Sequence, residues 1–145
     1  DQPFAQLDSA DAVWPRAEGR DTRAKGLKFR GYFLVGEQRR PIFGYKIGDS
    51  LQVADYAEPN AGALPSIIRR LRIRGNGEVW YLAAAGDSIT EEDGGYNIGG
   101  TMLRVSFPEL EAKPVIRESG GRKELLIKLN VEGQATLKQQ YEWNL

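Results

Sequence analysis

From Leu27 onward the side chains alternate with a period of two, and this constrains the fold more than any other feature of the chain. Leu27, Phe29, Gly31, Phe33 and Val35 fall on one face, with Lys28, Arg30, Tyr32 and Leu34 on the other. Pro41, Phe43, Tyr45 and Ile47 then alternate with Ile42, Gly44 and Lys46. A period of two is the spacing of a strand that buries one face, and no stretch sustains a helical period. Leu51 to Asp55, Ile67 to Arg74, Val79 to Ala85, Tyr96 to Ile98, Met102 to Val105 and Pro114 to Arg117 continue the pattern. Leu125, Ile127, Leu129 and Val131, then Ala135, Leu137, Gln139, Tyr141 and Trp143, form the last inward faces. Gly75-Asn76-Gly77 and Glu132-Gly133 are predicted to be hairpin turns, and Gly99-Gly100 a tight turn. The expected fold is all-β: an antiparallel β-sandwich, or flattened barrel, of about ten short strands. Residues 27–145 would form this domain. Residues 1–26, poor in large apolar groups, would be an irregular arm or linker that docks Phe4 and Trp14 on it.

Composition narrows the chemistry more than it points to any. The chain has 145 residues and contains no histidine and no cysteine. Those two absences remove the usual general base, thiol nucleophiles, disulfides and the best transition-metal ligands. Ser-His-Asp triads and Cys-His dyads are excluded with them, and zinc sites and protein-ligated haem lose their usual ligands. No cofactor is expected in this chain. Twenty basic and twenty acidic side chains cancel, so no global field favours nucleic acid or anionic lipid. No apolar run has the length of a membrane span. A start at Asp1 rather than Met is expected of a processed or excised chain.

The order of aromatic and turn residues resembles a region of large exported proteins of planctomycetes and related bacteria. These are c-type cytochromes, membrane-bound dehydrogenase-like and quinoprotein-like proteins. The matching elements are Pro3-Phe4 with Leu7, Ala12-Val13-Trp14-Pro15, Phe29-Arg30-Gly31-Tyr32-Phe33 and Pro41-Ile42-Phe43-Gly44-Tyr45. They continue with Val79-Trp80-Tyr81, Ala83-Ala84-Ala85-Gly86, Arg117-Glu118-Ser119-Gly120-Gly121 and Gln140-Tyr141-Glu142-Trp143. The resemblance implies a β-rich accessory module, periplasmic or extracellular, beside redox or carbohydrate-processing domains. Haem attachment in such proteins uses Cys-x-x-Cys-His, which this chain lacks, so electron transfer would belong to other segments.

The candidate sites each have a plain structural alternative. Trp80 and Tyr96, flanked by polar residues near loops, could stack on sugar rings or fill the core; Phe29, Phe33 and Phe43 are expected to be core. Asp87, Glu91, Glu92 and Asp93 crowd a glycine-rich loop and are calcium candidates, although the spacing is not that of an EF-hand and a solvated hairpin would look the same. Glu78, Asp87, Glu118 and Glu142 could supply a carboxylate pair for glycoside hydrolysis without histidine. Arg69, Arg70, Arg72 and Arg74 read as a solvated basic face or as a site for an acidic partner. Three functions follow: a non-catalytic module for domain docking or weak carbohydrate binding, a small carbohydrate-active enzyme using paired carboxylates, or a subunit that assembles through exposed strand edges. Expected partners are neighbouring domains and carbohydrate, not nucleic acid or membrane, with a monomer in isolation.

Overall fold

The computed structural model describes residues 3–15, 27–35, 40–59 and 66–143, with backbone alone for 27–35, 40 and 41. The described residues are all-β and contain no helix. Ten strands form one antiparallel sheet: β1 (Phe4–Ala5), β2 (Leu27–Val35), β3 (Arg40–Ile47), β4 (Leu51–Pro59), β5 (Ser66–Gly86), β6 (Ile89–Glu92), β7 (Gly95–Ile98), β8 (Leu103–Ser106), β9 (Val115–Ser119) and β10 (Arg122–Trp143). Their order is β2-β3-β4-β5-β10-β8-β7-β6, with β1 added beside β5 and β9 beside β10.

The expectation of uniformly short strands is corrected at its two clearest turn signals. Gly75-Asn76-Gly77 and Glu132-Gly133 are not hairpins. The chain runs straight through both, giving strands of 21 and 22 residues that pair along their whole length. Gly75 lies opposite Gly133, and Asn76 opposite Glu132. The glycines therefore mark a corner, where a two-stranded ribbon bends without losing its ladder. Gly75 has φ +126°, and a Cβ there would overlap the carbonyl oxygen of Ser50, so only glycine fits where β4 begins.

A hydrogen bond across the core shows how far the bend goes. Arg69 and Tyr81 lie on the same strand, twelve positions apart, which is roughly 40 Å of extended chain. Yet the Arg69 guanidinium donates to the Tyr81 hydroxyl at 3.1 Å. The two halves of β5 must therefore face each other as opposite layers of a sandwich. One core fills the space between them, drawing Leu51 and Val53 from β4, Leu71, Ile73, Val79 and Tyr81 from β5, Ile98 from β7, and Leu125, Ile127 and Leu137 from β10. At the far end the sheet curls back until a Cβ on Gly86 would press on Ile98, but no ladder closes it.

The layers are unequal, and burial follows. Along β3, Ile47 is fully buried beside the corner, Tyr45 is half-buried, and Phe43 is 37% exposed. The expectation that Phe43 is core is thus corrected: Asp55 and Leu71, in register with it on β4 and β5, are buried, so its exposure follows from lying farther out across the sheet. The core placement of Phe29 and Phe33 lies outside the described side chains, and the turn expected after Val35 lies largely outside the described residues.

Phe4 and Trp14 are buried, as the sequence pattern predicts for a docked arm. β1 pairs with β5, and Phe4 stacks at 5.1 Å on Tyr81. Trp14, Ala5, Trp80 and Leu126 make a second, smaller core on the outer face of β5 and β10. This explains why Leu125 and Leu126 are both fully buried despite pointing to opposite faces. The arm is also clamped by charge. Glu124, 1% exposed, accepts from Arg117 Nε at 2.9 Å and from Arg122 at 2.8 Å. Arg117 Nη1 in turn donates to the carbonyls of Ala10 and Ala12 at 2.8 and 2.6 Å.

Candidate ligand-binding site

The two faces of β5 carry arginines with opposite fates. Odd positions point inward with Leu71 and Ile73, so Arg69 is carried into the core. There it forms a two-pronged ion pair with Asp55, Nε to Oδ1 at 2.9 Å and Nη2 to Oδ2 at 2.6 Å. It also donates to Tyr81 and Tyr141 at 3.1 and 3.3 Å. Tyr81 donates onward to Gln139, and Gln139 donates to the Ala83 carbonyl at 3.0 Å. Ala83 is the residue skipped where β10 shifts register, Leu125 pairing with Ala84 and Leu126 with Leu82. A bulged residue of this kind falls out of the regular ladder, and Gln139 occupies its carbonyl.

Burial works against the Arg69 charge, but the hydrogen bond and charge of Asp55 outweigh it and hold the guanidinium protonated. Desolvation pushes the Tyr81 hydroxyl well above its ordinary value, with Arg69 opposing. Tyr45 is raised by burial and by Asp55. The network is closed on itself, and it ties together both halves of β5, β4 and β10. The reading of Arg69 as part of a solvated face is therefore corrected. The signal was present in the sequence: Asp55, Arg69 and Gln139 occupy inward positions among apolar neighbours, where a polar group survives only with a partner.

Even positions point outward. Arg70, Arg72 and Arg74 form a row along β5, flanked in register by Tyr56, Ala54 and Gln52 of β4 and by Lys138, Thr136 and Gln134 of β10. Arg70 is paired with Glu58 at 3.0 Å. Arg72 and Arg74 are exposed and make no ion pair or hydrogen bond with the described residues. Two hollows lie along this face. The larger, about 530 Å³, is lined by Ile42, Gly44, Tyr45, Gln52, Arg72 and Arg74 among others. The smaller, about 290 Å³, includes Tyr56, Arg70, Arg72 and Lys138, with Pro108 and Glu109 as its rim. Arg72 lines both, so the face is a continuous, basic, grooved surface.

The residues singled out earlier lie elsewhere. Trp80 and Tyr96 are 5% and 6% exposed, so neither presents a ring to solvent. Trp80 is covered by the arm, and Lys128 Nζ sits 5.8 Å above its ring. Tyr96 packs into the main core against Phe107, and burial, then the charge of Glu91, raises its hydroxyl pKa. Local polarity misled here, because each aromatic points to the covered side of its strand.

The acidic loop is a two-residue hairpin between β6 and β7, with positive φ at Asp93 (49°) and Gly94 (77°), as a tight turn of this hand requires. Glu92 accepts from Asn97 at 2.8 Å. Among the described residues no three acidic side chains come together to hold a metal, and the calcium candidates Asp87, Glu91, Glu92 and Asp93 are not gathered into one cluster. The four carboxylates considered for hydrolysis are likewise dispersed. Glu78 pairs with Lys128 at 3.3 Å, Glu118 with Lys123 at 2.9 Å, and Glu142 accepts from Gln140 at 3.0 Å. Asp87 is exposed beside Gly100.

No family model matches the chain, and no curated protein is similar to it. Among the described residues no helix is long and apolar enough to cross a membrane.

Proposed function

We propose that the chain is a non-catalytic recognition module that docks an acidic ligand or partner on the grooved outer face of β3, β4, β5 and β10. The observation that carries this reading is the pair Arg72 and Arg74. They are exposed, lack partners among the described residues and line a hollow of about 530 Å³. Other arginines are committed within the molecule: Arg69 to Asp55, Arg117 and Arg122 to Glu124, Arg70 to Glu58. An unpartnered cation in a concavity is where an anion gains most from binding.

Several features support a binding role over catalysis. The four carboxylates considered for hydrolysis, Glu78, Asp87, Glu118 and Glu142, line neither hollow, and Glu109 is the single carboxylate lining the smaller one. The closed Asp55–Arg69–Tyr81 network leaves no reactive group facing a ligand. The resemblance to accessory regions of exported multidomain proteins supports a periplasmic or extracellular setting beside catalytic neighbours, consistent with a module that positions rather than transforms.

Amide chemical-shift mapping with a panel of polyanions tests the reading. Shifts concentrated at residues 52–54 and 72–74 are expected. Shifts scattered over the surface would overturn it. So would release of reducing ends from a glycan that is lost when one carboxylate is substituted.

A further inference from the structure

We infer that the ligand of this groove is a carboxylated polysaccharide, a glycan bearing a uronate on successive sugars. The inference rests on the docking role proposed above and adds the chemistry of the occupant. Arg70, Arg72 and Arg74 are two residues apart on one face, so their Cα atoms repeat about every 7 Å along the strand. Beside them in register, Gln52 and Gln134 flank Arg74, Thr136 and Ala54 flank Arg72, and Tyr56 and Lys138 flank Arg70. Gln52, Gln134 and Thr136 are exposed. Arg72 and Arg74 thus present two uncommitted cations for spaced carboxylates, with amides and a hydroxyl beside them for the sugar hydroxyls in between.

Other polyanions fit less of this pattern. An acidic peptide binding a sheet gains affinity by adding a strand to a free edge. Here Arg70 to Arg74 are paired on both sides, with β4 and β10, so no backbone groups are free for it. A single-stranded nucleic acid needs stacking aromatics and a dense phosphate-neutralising surface. The hollows are lined by two tyrosines, Tyr45 and Tyr56, set in separate hollows rather than as a stacking run, and the whole chain carries no net charge. A neutral glycan would leave Arg72 and Arg74 without counter-charges.

The test is calorimetric titration of the intact chain at low salt with four polymers: polygalacturonate, its fully methyl-esterified form, poly-L-glutamate and linear polyphosphate. Polygalacturonate is expected to bind tightest per charge and the ester to lose at least tenfold. R72Q/R74Q is expected to weaken polygalacturonate roughly tenfold, as two exposed charge pairs allow. Both positions are exposed, so the variant's thermal midpoint should match the parent's and separate lost binding from lost folding. If polyglutamate or polyphosphate binds as tightly as polygalacturonate, the glycan assignment fails while the basic groove stands. If no polyanion binds, or R72Q/R74Q leaves binding unchanged, the groove itself is not the site and both readings fall.

Discussion

Two buried charge clusters hold this molecule together, and they differ in how completely they are satisfied. The Asp55–Arg69 cluster lies between the layers, and its guanidinium meets a carboxylate and two phenols. The Glu124 cluster lies on the outer side of the second layer, and its two arginines hold a carboxylate and the arm's carbonyls. Arg117 Nη2 is buried there without a hydrogen-bond partner. A closed network inside a low-dielectric core makes any single loss costly, whereas a cluster with an unmet donor sits closer to opening. The first cluster therefore belongs to the global stability of the sandwich, and the second to the local docking of the arm.

The sharpest way to break that contrast is at Arg69. Arg69→Met leaves Asp55 buried without a cation and should cost about 3–5 kcal/mol in urea unfolding. Adding Asp55→Leu should recover most of the loss, since a well-packed apolar pair can replace a buried ion pair. A double variant as unstable as the single one would show that the network is needed for more than charge balance. Next comes the corner that lets Arg69 reach Tyr81. Gly75→Ala meets both backbone strain and the Ser50 carbonyl, and should cost about 2–4 kcal/mol. Gly133→Ala, with φ +83° and open space around it, meets strain alone and should cost less. Equal losses would mean that the close approach to β4 is easily relaxed.

At the outer cluster, Glu124→Gln keeps an acceptor but removes the charge, and should cost about 1–3 kcal/mol. Its signature is local: residues 10–12 should become open to limited proteolysis before the sandwich unfolds. Digestion no faster than in the parent would remove the distinction between clamp and core. The smallest effect concerns pH. The folded-state pKa of Tyr81 is raised above the ordinary 10.0 by burial. Stability should therefore be flat below about pH 10 and fall as pH rises toward the folded value, because the unfolded chain releases that proton first. Tyr81→Phe should flatten that decline; an unchanged slope would assign it to other groups.

Much of the inward pattern was legible. Ile127, Leu129, Val131 and Leu137 are buried as their alternation predicts, and Arg72 and Arg74 point outward on the same logic. Alternation also placed Arg69 inward, but its charge and its basic neighbours suggested solvent. Burial of a charge depends on a partner 14 residues away, Asp55, and on phenols from Tyr81 and Tyr141. Trp80 and Tyr96 failed for the converse reason, since their covers come from the N-terminal arm and from Phe107 rather than from adjacent residues.

The sequence by itself determined the fold class, the strand faces and the chemistries closed to a chain without histidine or cysteine, because these depend on side-chain period and residue type. Tertiary structure alone decided that two glycine-marked turns are corners in continuous strands. A local glycine signal permits either a reversal or a bend, and the choice rests on whether β5 and β10 pair across it. The same pairing decided that Arg69 turns in between the layers while Arg72 and Arg74 stay exposed, since a strand's two faces acquire their environments only when the opposite layer covers one of them.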